Sequence, residues 1–226
     1  MTPTDLHSYN PPTPFRPTGT VYGTLLNFKR EFDFFAPQMS QPPYKAAPLA
    51  PVLYVKTANT FNANDGQVPV PSRVGQVEIG AALAMVIGAG GQMSGWVLMN
   101  DFSVPHASYF RPPVKFKCLD GFLGLGSNPV TPGELGDPAR VQLQVHVNGT
   151  LRQTIDFSGL IRPAAQLLRD VTEFMTLREG DLLMLGLDCL PDGKRPTARV
   201  GDCVEVMSPT HPALGRMTHT LVQEAA

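Results

Sequence analysis

A mainly β chain of the α+β class, with a few short helices, is what three features of this 226-residue sequence predict. Proline and glycine are abundant, at 23 and 21 residues, which favours many turns and short strands over long helices. Residues 141–148, VQLQVHVN, alternate strictly, with Val141, Leu143, Val145 and Val147 on one face and Gln142, Gln144, His146 and Asn148 on the other. Only one stretch carries helical periodicity, and no strand–helix–strand rhythm runs through the chain.

Taken in order, residues 1–19 form a Pro-rich arm, with Pro3, Pro11, Pro12, Pro14 and Pro17 removing donors and fixing the backbone. The remaining residues, 20–226, read as one domain. VYGTLLNF (21–28) predicts a first strand, and KREFDFFAPQM (29–39) a broken helix or loop. VLYVK (52–56) predicts a strand with a polar end, and residues 58–71, rich in Asn, Gly and Pro, a loop. QVEIGAALAMVIG (76–88) predicts one continuous strand, and residues 96–100 another. Asn148-Gly149 is a type I′ turn signal, so the alternating strand returns through LRQTID as a hairpin. The helix is expected over 161–175, because Ala164, Leu167, Leu168, Val171, Phe174 and Met175 fall on one face and Pro163 suits the first turn. LLMLGL (182–187) and residues 204–207 predict the last strands, followed by a Pro-containing tail that holds His211 and His219.

Composition excludes several classes of function. Hydrophobic residues are 42% and charged residues 16%, which fits a packed core and not a disordered chain. The net charge is −1 with no basic stripe, so no nucleic-acid partner is expected. Cys118, Cys189 and Cys203 are odd in number and lie far apart, which excludes CxxC metal or redox motifs and fits a reducing cytoplasm. No signal peptide is expected at the N-terminus, and residues 79–91 are too short and Gly-rich to span a bilayer. Gly88-Ala89-Gly90-Gly91 reads as a turn, because the third glycine of a dinucleotide loop would fall at Met93.

Residues 95–126 are the candidate site. They set the only Trp, two Asp, a His, an Arg and two Lys between apolar runs, and such polar groups need partners or a ligand. Asp101 ends an apolar strand, a good place for a metal ligand or a base. Lys117 and Asp120, in KCLDGF, are expected to pair locally or to line the same pocket. His106 is the one histidine near these groups, and His146 is expected in solvent on the polar face of its hairpin.

Five segments carry a resemblance: PPYKAAP (42–48), YVKTANT (54–60), MNDFSVPHASYFRPPVKFKCLDGF (99–122), VNGTLRQ (147–153) and LIRPAAQLLRDVTEFMTLREGDLLMLG (160–186). In that order they resemble the fumarylacetoacetate hydrolase family, and within it the N-terminal half of the isomerase/decarboxylase branch of homoprotocatechuate (4-hydroxyphenylacetate) breakdown. The resemblance implies a mixed β-roll or sandwich. It implies an open-chain 2-oxo di- or tricarboxylic acid as substrate, here 5-carboxymethyl-2-oxo-hex-3-ene-1,7-dioate or its decarboxylated product. It implies Mg or Mn as a Lewis acid. Asp101 matches the family's metal Asp. The family's Glu-x-Glu pair maps to Gly80 and Ala82, and Glu78 lies about 6.5 Å upstream on the same strand face. A lid His maps to Glu31 and its companion Glu to Phe34. Lys56 and Lys117 match pocket lysines, so Asp101, Lys117 and Lys56 are the expected catalytic residues, and His106, Arg111 and Asp120 the expected substrate-binding ones. Three functions follow: a subunit of the isomerase/decarboxylase, a degenerate, metal-less partner subunit that contributes an interface and no chemistry, or an oxo-acid-binding protein without catalysis of its own. The assembly is expected to be a homodimer, or a heterodimer with a metal-competent homologue.

Overall fold

The computed structural model describes residues 14–106 and 114–225, so Arg111 and most of the Pro-rich arm lie outside the described residues. The elements run β1 (Val21–Leu25), α1 (Lys29–Phe35), β2 (Val52–Lys56), β3 (Phe61–Asn62), β4 (Gln67–Val70), β5 (Val77–Glu78), β6 (Ala81–Ile87), β7 (Met93–Asp101), α2 (Val114–Lys117), β8 (Leu123–Leu125), α3 (Pro132–Leu135), β9 (Gln142–Val147), β10 (Thr150–Asp156), α4 (Ala164–Thr172), β11 (Leu182–Met184), β12 (Thr197–Ala198), β13 (Cys203–Met207) and β14 (Arg216–Gln223). The chain is mostly β, with short helices, as the sequence predicts.

Seven strands form one sheet in the order β2-β1-β11-β6-β7-β8-β3, and five form a second in the order β10-β9-β13-β14-β4. One face of β6 and β7 (Leu83, Met85, Trp96, Leu98) packs against the inward rows of the second sheet, among them Leu143, Val145, Val206 and Met217. The opposite face carries Ala82, Ala84, Val97 and Met99 into a second apolar cluster with Leu25, Met39 and Tyr54. The alternation of each strand divides its residues between these two cores.

The hairpin at 141–156 forms as expected, with Asn148 at φ 51° and Gly149 at φ 76°, the backbone of a type I′ turn. Gly88–Gly91 is a turn between β6 and β7. Several expectations need correction. The first strand stops at Leu25, because Leu26 takes φ 59° and its N–H turns to Glu31 Oε2 at 2.7 Å. The strand expected over 76–88 breaks into β5 and β6, since Ile79 N–H leaves the ladder for Pro196 O at 2.8 Å. The expected helix shortens to α4, because Asn27 holds the backbone N–H groups of Ile161 and Arg162 before the first turn. Phe174 lies beyond α4 and is 60% exposed, so it is not part of the buried face. The strand expected over 182–187 ends at Met184, before Gly186 at φ 139°. The expected tail is instead β14, the eight-residue strand that places His219 in the interior. His146 is half-buried, flanked by Leu151 on β10 and Glu205 on β13. Among the described residues, no helix is long and apolar enough to cross a membrane.

Candidate functional site

Asp101 continues the row Val97, Met99 on β7, so alternation delivers its carboxylate to the second core, not to water. It is 1% exposed. Tyr54 and Lys56 arrive from β2 by the same rule, both buried, with Val55 between them turned outward. The short α2 supplies Lys117, also buried.

These four side chains form one cluster. Lys56 Nζ lies 2.8 Å from Asp101 Oδ1 and Lys117 Nζ 2.6 Å from Oδ2. The Tyr54 hydroxyl donates a further hydrogen bond to Oδ2, and the Lys117 ammonium stands 4.8 Å from the centre of the Tyr54 ring. Lys56 also donates to the carbonyls of Phe122, at 2.9 Å, and of Lys117. Its three N–H groups are therefore all committed to protein acceptors. Lys117 Nζ donates to Asp101 Oδ2 alone among the described residues.

Burial by itself would raise the Asp101 carboxyl, but the charges of Lys117 and Lys56 and their hydrogen bonds win and hold it well below the usual carboxylate range. Burial lowers the Lys117 ammonium, against the pull of Asp101, to about 8. Burial, then the Asp101 charge, pushes the Tyr54 phenol well above its ordinary value, so Tyr54 is a fixed donor.

A second group of ions borders the first. Glu31, on α1, is fully buried, accepts from Leu26 N–H and is paired with Arg195. Arg195 also lies 3.7 Å from Glu78, whose carboxylate accepts from Ser103 Oγ at 3.2 Å. Burial raises the Glu31 carboxyl, opposed mainly by Arg195. Arg30 donates to Cys189 O at 3.0 Å and adds a second tie between α1 and residues 188–195.

The sequence-predicted residues are thus placed unequally. Asp101, Lys56 and Lys117 are brought together, and the two lysines are more deeply buried than expected. His106 stacks on Phe116 with 4.9 Å between ring centres and bonds Val104 O, and burial lowers its pKa. It lines a cavity of about 420 Å³ with Glu78, Lys194 and Arg195, at the edge of the second ion group. Asp120 is exposed and accepts from Asn59 Nδ2 at 2.6 Å, so the local partner expected in Lys117 is replaced by Asn59. Arg111 lies outside the described residues. Sequence reasoning missed Tyr54 and Arg195. The alternation of VLYVK already places Tyr54 and Lys56 on one face, whereas nothing local to Arg195 marks its pairing with Glu31.

The register puts Gly80 opposite Asp101 and Ala82 opposite Met99, so the two positions to which the resemblance maps a Glu-x-Glu pair face the Asp101 side. A Cβ on Gly80 would meet Asp101 O at 2.7 Å and both Leu187 methyls at 3.2 Å. Among the described residues, no group of three or more His, Cys, Asp or Glu side chains is placed to hold a metal ion. The donor set does not fit a divalent cation, because both Asp101 oxygens already face ammonium groups. A dication about 4 Å from an ammonium is repelled by roughly 8 kcal/mol at an effective dielectric of about 20.

The family profile described as "Fumarylacetoacetate (FAA) hydrolase C-terminal" matches residues 20–222. The chain is 33% identical over 206 residues to a Salmonella dublin protein named 4-hydroxyphenylacetate degradation bifunctional isomerase/decarboxylase, covering 87% of this chain and 46% of that one. It therefore spans about half the length of the curated relatives it matches. The fold matches 5-carboxymethyl-2-hydroxymuconate delta-isomerase from Mycobacterium smegmatis at TM-score 0.70 and 24% identity, covering 92% of this chain and 80% of that one. It also matches fumarylpyruvate hydrolase from Pseudomonas aeruginosa, solved with Mn2+ and pyruvate, at TM-score 0.71 and 21% identity, covering 96% and 100%.

Proposed function

The chain belongs to the fumarylacetoacetate hydrolase family, and from that premise we propose that it is a subunit of an isomerase/decarboxylase acting on an open-chain 2-oxo acid with two or three carboxylates. The substrate we favour is 5-carboxymethyl-2-oxo-hex-3-ene-1,7-dioate or its decarboxylated product. The observation that carries the reading is the buried Asp101 held between Lys56 and Lys117 on the β7 face. Losing CO₂ beside an oxo group, or shifting a proton there, leaves an enolate, and a desolvated cation stabilises that charge far better than water does.

The geometry supports different roles for the expected catalytic residues. Lys117 donates to Asp101 alone among the described residues and is the group for substrate. Lys56, with every donor engaged, positions Asp101 and the carbonyls around it. Asp101, held ionised by both lysines, anchors charge and is a poor proton acceptor. His106, beside the Glu78–Arg195 cavity, is in place to meet a distal part of a long substrate.

A second reading, a partner subunit that binds the oxo acid without turning it over, is favoured by Gly80 and Ala82 standing where carboxylates would be needed. Incubating the purified chain with 5-carboxymethyl-2-oxo-hex-3-ene-1,7-dioate, while following CO₂ release and the ultraviolet spectrum, separates the two. Turnover is the expected result. Saturable binding without turnover selects the second reading, and neither binding nor turnover removes both.

A further inference from the structure

We propose that this centre works without a divalent metal, and that the Lys117 ammonium receives the two oxygens of the 2-oxo-carboxylate that a metal would otherwise chelate. The inference rests on the 2-oxo-acid reading above and adds to it the nature of the cation.

The first support is the state of Asp101. Its Oδ1 accepts from Lys56 at 2.8 Å and its Oδ2 from Lys117 at 2.6 Å and from Tyr54, so a dication on this carboxylate would sit beside two ammonium groups that repel it. The second is the absence of further metal-binding side chains near it among the described residues. Gly80 and Ala82 carry no donor atoms, and Ala82 is fully buried among apolar side chains. Glu78 is taken by Ser103 and Arg195, and Glu31 by Leu26 N–H and Arg195. Among the described residues, Asp101, Glu31 and Glu78 are thus each already engaged by Lys56, Lys117 or Arg195.

The third support is Lys117 itself. It is 1% exposed, its one hydrogen-bond acceptor among the described residues is Asp101 Oδ2, and an ammonium has three N–H groups. A buried donor without an acceptor is costly, so the two remaining N–H groups call for an anionic oxygen or water. A 2-oxo-carboxylate places one carboxylate oxygen and the oxo oxygen side by side, a match for two N–H groups of one ammonium. The Tyr54 ring lies close to the same nitrogen and helps to fix it.

Oxalate, a planar stand-in for the enolate of a 2-oxo acid, and Mn2+ provide the test on the full chain. After treatment with EDTA and dialysis, calorimetry and the electron paramagnetic resonance signal of aqueous Mn2+ should show no stoichiometric uptake. Oxalate should bind equally with and without EDTA, and Lys117→Met should weaken it roughly tenfold or more, the loss of charge-assisted hydrogen bonds. Uptake of one equivalent of Mn2+, or oxalate binding that requires Mn2+, overturns metal independence and leaves the 2-oxo-acid reading standing. Oxalate that binds under neither condition overturns both. The wild-type measurements decide the matter even where Lys117→Met fails to fold. A further arm asks whether Gly80→Glu with Ala82→Glu restores Mn2+ uptake; none is expected, because the Gly80 Cβ already has no room beside Asp101 O, and stoichiometric uptake would show a latent metal site.

Discussion

Lys56 Nζ lies 2.8 Å from Asp101 Oδ1, and neither side chain is exposed to solvent. Their mutual attraction has to offset the loss of hydration of both ions, which it does here with help from Lys117, Tyr54 and the Phe122 carbonyl. Removing Asp101 leaves two buried ammonium groups without their counter-ion, and removing Lys56 leaves the buried Asp101 with Lys117 and Tyr54 alone. Asp101→Ala should therefore lower stability by about 3–5 kcal/mol, and Lys56→Met by a similar amount, measured by urea unfolding. Asp101→Ala should also abolish any turnover by the pure chain; an unchanged rate would remove Asp101 from the chemistry.

Glu31 ties α1 to the body of the protein through Arg195, with Arg30 making the more exposed contacts to Asp188 and Cys189 O. The exposed Lys29–Asp33 pair on the same helix adds little, as surface ion pairs do. Glu31→Ala should loosen α1 specifically. Hydrogen exchange at residues 29–35 is expected to accelerate while the strands of both sheets keep their protection. Equal acceleration everywhere would mean that Glu31 supports the whole fold and not α1.

Local pattern carried the parts of the fold that depend on local pattern. The alternation at residues 141–147 and the Asn148-Gly149 turn define the β9–β10 hairpin without reference to anything distant. The element limits that failed are set by contacts far along the chain. Asn27 trims the start of α4, Pro196 interrupts the strand at Ile79, and both partners are remote in sequence. The same division runs through the site. Asp101 stands out because it ends an apolar strand, and Tyr54 and Lys56 share a strand face that alternation makes legible. Arg195 meets Glu31 only after the chain has folded, and no pattern near either residue announces it. β14 is hard to read although Met217, His219 and Leu221 alternate, because a histidine on the inward row and the Pro212 turn before it resemble a tail.

His219 is the inward polar residue of that strand. Its Nε2 donates to Ala63 O at 3.1 Å, Nδ1 makes no close hydrogen bond among the described residues, and the ring packs edge-on against Phe102. Burial lowers the pKa of the ring, despite the opposing backbone carbonyls of Ala63 and Asn62 and the charge of Asp65. The unfolded chain takes up this proton near about pH 6.5, before the folded chain does. The neutral ring's contribution is thus fully present above that pH and is lost as pH falls from there through the folded value. Wild-type stability should drop between pH 7.5 and 5.5 by more than that of His219→Gln, which keeps a donor and does not titrate. Equal drops, read from urea midpoints at both pH values, would contradict the assignment.

The same ring explains a glycine in β8. A Cβ on Gly124 would lie 2.4 Å from His219 Cε1 and 2.9 Å from Nδ1, so the bare backbone of β8 is what leaves space for the imidazole. Gly124→Ala should cost about 1–3 kcal/mol, the usual range for forcing extra atoms into a packed interior. Its cost should fall in a His219→Ala background, where the obstructing ring is gone. A double-mutant cycle by urea unfolding is expected to give a coupling of roughly 0.5–3 kcal/mol between the two positions. Additive effects would mean that Gly124 is required by the β8 backbone and not by His219.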